Sequence, residues 1–99
     1  MQRYDDPNQL VRVAAGELFA IALAGNPSTG YTWEAGVDPR HLELLGQTFE
    51  AAGEGVGSGG QEVFEFRALT SGETGIACEY RRPWDREARD AKRFQIEIK

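Results

Sequence analysis

Apolar and polar residues alternate with a period of two along much of the chain. In residues 17–24, Phe19, Ile21 and Leu23 are separated by small alanines; in residues 92–99, Phe94, Ile96 and Ile98 alternate with Arg93, Gln95, Glu97 and Lys99. Successive side chains of a strand point to opposite faces, so both stretches read as half-buried strands. Five more stretches carry the signal: residues 10–13; residues 31–35, with Tyr31 and Trp33 on one face; residues 42–49; residues 62–68, with Phe64 and Phe66 inward; and residues 75–80, with Ile76, Cys78 and Tyr80 inward. Turn-forming residues stand between them, at Ala15-Gly16, Gly25-Asn26-Pro27, Asp38-Pro39, residues 53–60 and Ser71-Gly72. The pattern predicts an all-β fold, an immunoglobulin-like antiparallel β-sandwich of about seven strands, with Trp33 on the third strand in the core. Helical spacing occurs only in residues 85–93, through Asp85 with Arg89 and Arg86 with Asp90. Such exposed pairs add merely ~0.2–0.5 kcal/mol each, enough for a short helical turn at most.

The chain's 99 residues, 40% hydrophobic and 27% charged, predict one globular domain over residues 1–99. Its net charge of -5 argues against duplex nucleic acid, whose binding rests on neutralising phosphates. The charge is uneven. Residues 81–93 hold six bases against three acids, which predicts a locally basic tip on an otherwise acidic molecule. A single cysteine, Cys78, rules out an internal disulfide, so a sandwich here is held by apolar contact. No apolar run approaches the ~20 residues of a membrane span, and the first residues lack the apolar stretch of a secretory signal. A soluble monomer without a membrane partner is expected, cytoplasmic unless a leader was removed before residue 1.

Catalytic chemistry finds little support. His41 is the only histidine and stands beside Pro39-Arg40 in a turn; a hydrolase would need it to meet Ser28 or another nucleophile together with a carboxylate, and the spacing gives no sign of that meeting. Cys78 alternates inward with Ile76 and Tyr80, the setting of an inert thiol. One histidine and one cysteine on distant elements do not make a metal site, and no cofactor is expected. Gly55, Gly57 and Gly60 satisfy G-x-G-x-x-G, but a strand follows them, not the helix N-terminus that would receive a pyrophosphate.

Three connections are richer than a bare link needs. Asn26-Pro27-Ser28-Thr29-Gly30 combines a rigid proline, two hydroxyls and a glycine free to take positive φ, a recipe for a stiff tip. Residues 53–60 hold five glycines in eight positions, which would let a partner surface approach the backbone closely. Arg82-Pro83-Trp84 leaves the sixth predicted strand with a tryptophan that is awkward to bury, and tryptophan and arginine are frequent interface anchors. In a sandwich, the B–C, D–E and F–G connections emerge at one end, so the three are expected to share a face.

The segment Asn26-Pro27-Ser28-Thr29-Gly30-Tyr31 followed by Trp33, the cluster Gly57-Ser58-Gly59-Gly60 before a strand, and Tyr80-Arg81-Arg82-Pro83-Trp84 before a closing strand resemble the three signature loops of the chagasin family, inhibitors of papain-like cysteine peptidases. The resemblance runs from Glu17 to the terminal strand and implies a tight, reversible, non-covalent wedge against papain- or cathepsin-type enzymes. It places residues 27–30 over the enzyme's cysteine and histidine, with Thr29 nearest the thiolate. It places the glycine loop along the substrate side of the cleft, and Trp84, assisted by Arg82 and aimed by Pro83, against an aromatic wall on the leaving-group side. Two other readings compete: an adhesion or carbohydrate-binding sandwich with Tyr31, Trp33 and Trp84 as an aromatic platform, and a hydrolase using Ser28 and His41.

Overall fold

The computed structural model describes residues 1–53 and 59–99. Among them are eight strands: β1 (Gln2–Tyr4), β2 (Val11–Val13), β3 (Leu18–Gly25), β4 (Thr32–Val37), β5 (Leu42–Ala51), β6 (Gly60–Ala68), β7 (Gly72–Arg81) and β8 (Asp90–Ile98). They form two four-stranded sheets, ordered β1-β3-β6-β5 and β2-β8-β7-β4. The seven strands expected from alternation are all present. β1 is additional; it pairs in parallel with β3, Gln2 opposite Phe19 and Tyr4 opposite Ile21. Residues 85–93 hold no helix. Asp85 pairs with Arg82 instead of Arg89, a turn replaces the helical one, and β8 begins at Asp90.

Alternation delivers the core. Phe19, Ile21, Leu23, Phe64 and Phe66 from one sheet meet Trp33, Ile76, Cys78, Phe94, Ile96 and Ile98 from the other in one cluster, joined by Val11, Val13, Leu42 and Ala68. Burying each large side chain contributes about 2 kcal/mol before the cost of ordering. On the outward face of the first sheet, Ala20, Ala22 and Val63 are also buried. These small side chains let Arg3 and Glu50, on opposite edge strands of that sheet, reach across it and pair through two hydrogen bonds of 2.8 and 2.9 Å.

β5 departs from simple alternation. A bulge between Leu44 and Gly46 shifts its register against β6, so Leu44 and Leu45 are both exposed and only Leu42 of this strand joins the core. A bulge on an edge strand also discourages pairing with another chain.

The direction of the strands fixes where the connections lie. β3 ends at Gly25, paired with Gly60, and Gly60 is paired with Ala51 at the end of β5. β4 begins at Thr32, opposite Arg81 at the end of β7, next to Tyr80 opposite Asp90 at the start of β8. The strand ends that flank these connections, 25 and 32, 51 and 60, and 81 and 90, therefore lie at the same end of the sandwich.

Candidate functional site

The first connection folds into a single turn of 3-10 helix, Pro27–Thr29. Asn26 starts it: its side-chain oxygen accepts from the Ser28 N–H at 3.1 Å and from the Ser28 hydroxyl at 2.7 Å, the arrangement that asparagine favours at a turn or helix start. The Thr29 hydroxyl donates to the Asn26 carbonyl at 2.7 Å. Gly30 closes the turn at φ +84°, where a side chain is strained, and its N–H reaches the Pro27 carbonyl. Both hydroxyls are thus engaged within the loop as its internal ties, a use that composition alone did not reveal. The Asn26 N–H also donates to the Tyr80 phenol at 3.3 Å, fastening the loop to β7.

The third connection stands beside the first. Arg82 and Asp85 pair through bonds of 2.9 and 3.2 Å, and the Asp85 N–H reaches the Arg82 carbonyl, closing a turn with Pro83 and Trp84 at its crest. The hydrogen bond from Arg82 holds the Asp85 carboxyl below the ordinary carboxylate range. Trp84 is 71% exposed. The Arg82 guanidinium lies 5.0 Å from the Tyr31 ring centre and 5.3 Å from that of Trp84, bridging the two aromatics. Tyr31 stacks on Tyr80 at 5.3 Å, and Tyr80 packs on Trp33 at 4.9 Å. An aromatic and cationic stack thus joins the exposed Trp84 to the buried Trp33.

Of the glycine-rich connection, Gly57 and Ser58 lie outside the described residues. Its stems are in place: the Ala52 N–H donates to the Gly59 carbonyl at 2.9 Å. Gly60 is glycine for an internal reason. A Cβ there would run into the Glu50 carbonyl and stand 2.8 Å from the Phe49 ring and 2.9 Å from the Ala51 Cα. Between these stems and the first loop runs an open groove of about 740 Å³, lined by Gly25, Asn26, Ala51, Ala52, Gly59 and Tyr80 among others.

The cations expected at a basic tip divide. Arg81 pairs with Glu34 at 2.9 Å and Arg82 with Asp85, Lys92 lies over Trp33 and Arg93 beside Gly75 within the strands, while Arg89 stays at the loop end, its guanidinium 5.1 Å from the Tyr31 ring centre. His41 sits at the opposite end of the sandwich, its Nδ1 3.1 Å from the Thr70 hydroxyl, so it and Ser28 do not meet. Burial pushes the Cys78 thiol up to about 11, which keeps it protonated and inert near neutral pH. Trp33 is only 2% exposed and cannot serve in an aromatic platform.

Sequence reasoning passed over Glu62. It is 5% exposed, the one buried charged residue among those described. One carboxylate oxygen accepts from the Trp33 N–H at 3.0 Å across the gap between the sheets, and the other from the Gln47 amide at 3.1 Å. Burial raises its pKa above the usual glutamate value, against the opposing pull of both bonds. The signal was available: Glu62 shares the inward parity of Phe64 and Phe66.

The signature of the chagasin family peptidase inhibitors, I42, matches residues 12–98. The chain belongs to this family. Two relatives agree with the assignment. This chagasin-family chain is 32% identical over 93 residues to chagasin of Trypanosoma cruzi, covering 88% of this chain and 84% of that protein. It is 37% identical over 99 residues to amoebiasin-1 of Entamoeba histolytica (strain ATCC 30459 / HM-1:IMSS / ABRM), covering 95% and 92%. The fold is that of the cysteine protease inhibitor EhICP2 from Entamoeba histolytica, whose crystal structure superposes with a TM-score of 0.82 at 23% identity over 99% of this chain and 96% of that one. Chagasin-family members are peptidase inhibitors, not enzymes.

Proposed function

We propose that this protein is a tight-binding, reversible inhibitor of papain-like cysteine peptidases, that residues 1–99 act as one inhibitory domain, and that its three-loop end plugs the active-site cleft. The residues that enter or flank the cleft are Asn26, Pro27, Ser28, Thr29, Gly30 and Tyr31 of the first loop, Gly57, Ser58, Gly59 and Gly60 of the glycine-rich connection, and Arg82, Pro83 and Trp84. The observation that carries this reading is the exposed Trp84 held beside a self-bonded first loop. A loop already ordered by its own hydrogen bonds loses little entropy on binding, which favours affinity. An interface of about 800 Å² per partner would be of ordinary size for nanomolar binding. Cleavage is avoided if the 3-10 turn crosses the thiolate without presenting an extended, aligned peptide carbonyl at the ~3–3.5 Å that attack requires.

The test is titration of papain with the protein against a fluorogenic peptide substrate. Stoichiometric, reversible loss of turnover with the inhibitor recovered intact is expected. Undiminished turnover at micromolar protein, or steady cleavage of the first loop, would reject the reading.

A further inference from the structure

The two donors that converge on Glu62 can be satisfied by only one kind of side chain. The Trp33 N–H and the Gln47 amide approach separate oxygens. An ionised carboxylate accepts at both and donates from neither, whereas a glutamine or a protonated carboxyl puts hydrogen where one of these donors stands. The Gln47 amide also reaches the Trp33 carbonyl at 3.3 Å, which discourages it from turning its oxygen toward Glu62 instead.

These contacts lie at the stems of the loops. Trp33 is on the outgoing stem of the first loop, and its indole N–H closes that stem onto the Ala24 carbonyl at 2.9 Å. On the incoming stem, a Cβ at Gly25 would stand 3.0 Å from a Glu62 oxygen, so the carboxylate uses space that only glycine leaves. Glu62 itself follows Gly60 by two residues on β6, and Gln47 comes from β5, the two strands joined by the glycine-rich connection. One carboxylate therefore touches both stems of the first loop and ties them to the strands of the second.

We propose that Glu62 is a positioning residue for peptidase binding, fixing the first loop against strands β5 and β6 by accepting from Trp33 and Gln47 together. The inference rests on the inhibitory reading above and adds to it a residue that lies outside the loops. The groups facing the carboxylate are the Trp33 amide of β4, the Gln47 amide of β5 and the Gly25 backbone of β3; on the facing sheet, Tyr80 and Lys92 pack on the Trp33 ring at 4.9 and 5.7 Å. Because burial raises the affinity of Glu62 for a proton, acid removes the double acceptor sooner than it would protonate an exposed glutamate.

The experiment compares wild type and Glu62→Gln, by inhibition constant against papain between about pH 4 and about pH 8. At neutral pH, E62Q is expected to weaken inhibition about tenfold or more. The ratio between wild type and E62Q should shrink toward acid. Equal inhibition by wild type and E62Q at neutral pH overturns the proposal. If E62Q does not fold, Gly25→Ala decides, since its Cβ crowds the same oxygen: weaker inhibition supports the proposal and unchanged inhibition overturns it. A peptidase-free readout separates this inference from the reading beneath it. The Trp33 amide proton resonance of the free protein is expected to titrate with Glu62, and a resonance that stays still across the range overturns the proposal even when papain is fully inhibited. A titrating Trp33 amide in a wild type that leaves papain untouched instead strikes the inhibitory reading, and the positioning role with it.

Discussion

Trp84 is held in the open by its neighbours. Arg82, anchored by Asp85, lies beneath its ring, and Gly30 of the first loop sits beside it, an added Cβ there falling 3.9 Å from the indole. Its indole makes no core contact, so Trp84→Ala is expected to weaken papain inhibition by ~2 kcal/mol or more while leaving the melting temperature unchanged; equal inhibition constants would remove Trp84 from the site. Gly60 makes the opposite case. Its contacts with the β5 backbone predict that Gly60→Ala destabilises the fold by about 1–3 kcal/mol, read from urea unfolding, and an unmoved midpoint would contradict the packing. Trp33 was legible because parity and aromatic character agree. Glu62 was not, because its charge argued for the surface and its partners, Trp33 and Gln47, are 29 and 15 residues away in sequence.

Elements that pack by alternation were readable as such, and those defined by distant pairing were not. β1 is three residues long and exists only through its parallel ladder with β3, which leaves no local period. The β5 bulge resets parity midway, so the exposed Leu44 and Leu45 follow no two-residue rule. In the 82–89 connection, the Arg82–Asp85 pair at i,i+3 captured the acid that helical spacing had assigned to Arg89. The first loop was recognised as stiff from its residue types, but its stiffness comes from bonds that composition does not specify. Asn26→Ala removes the acceptor for the Ser28 N–H and hydroxyl and is expected to cost about 1 kcal/mol of loop order. Faster hydrogen exchange at Ser28 together with weaker inhibition would bear this out, and exchange identical to wild type would refute it.

For the whole molecule, charge pairing across the surface sets the response to acid. Asp38 is held down to about 2, chiefly by its side-chain hydrogen bond from Arg40; Arg3 lowers Glu50 and Arg82 lowers Asp85 in the same way. Groups lowered in the folded state contribute stability above their unfolded pKa, near 4, that is lost as pH falls through the folded values. Glu62 has the opposite sign: its raised folded pKa favours the native state in acid, and that contribution is lost as pH rises through the folded value. The three lowered carboxylates predict a melting temperature that drops modestly between about pH 4 and about pH 2, the pairs being exposed and screened, whereas the Glu62 contribution is already nearly complete below its unfolded value. A midpoint that stays level or climbs over that interval would contradict the surface pairing.

Because β1 runs alongside β3 in the same direction, Gln2 lies level with Phe19, far from Gly25 where the first loop begins, and Ile98 lies opposite Gly72 and beside Val13, at that same far end. Anything joined to either extremity of the chain, whether a bead, a dye or a second protein, would trail from the rear of the sandwich and leave the end that carries Trp84 turned toward solution.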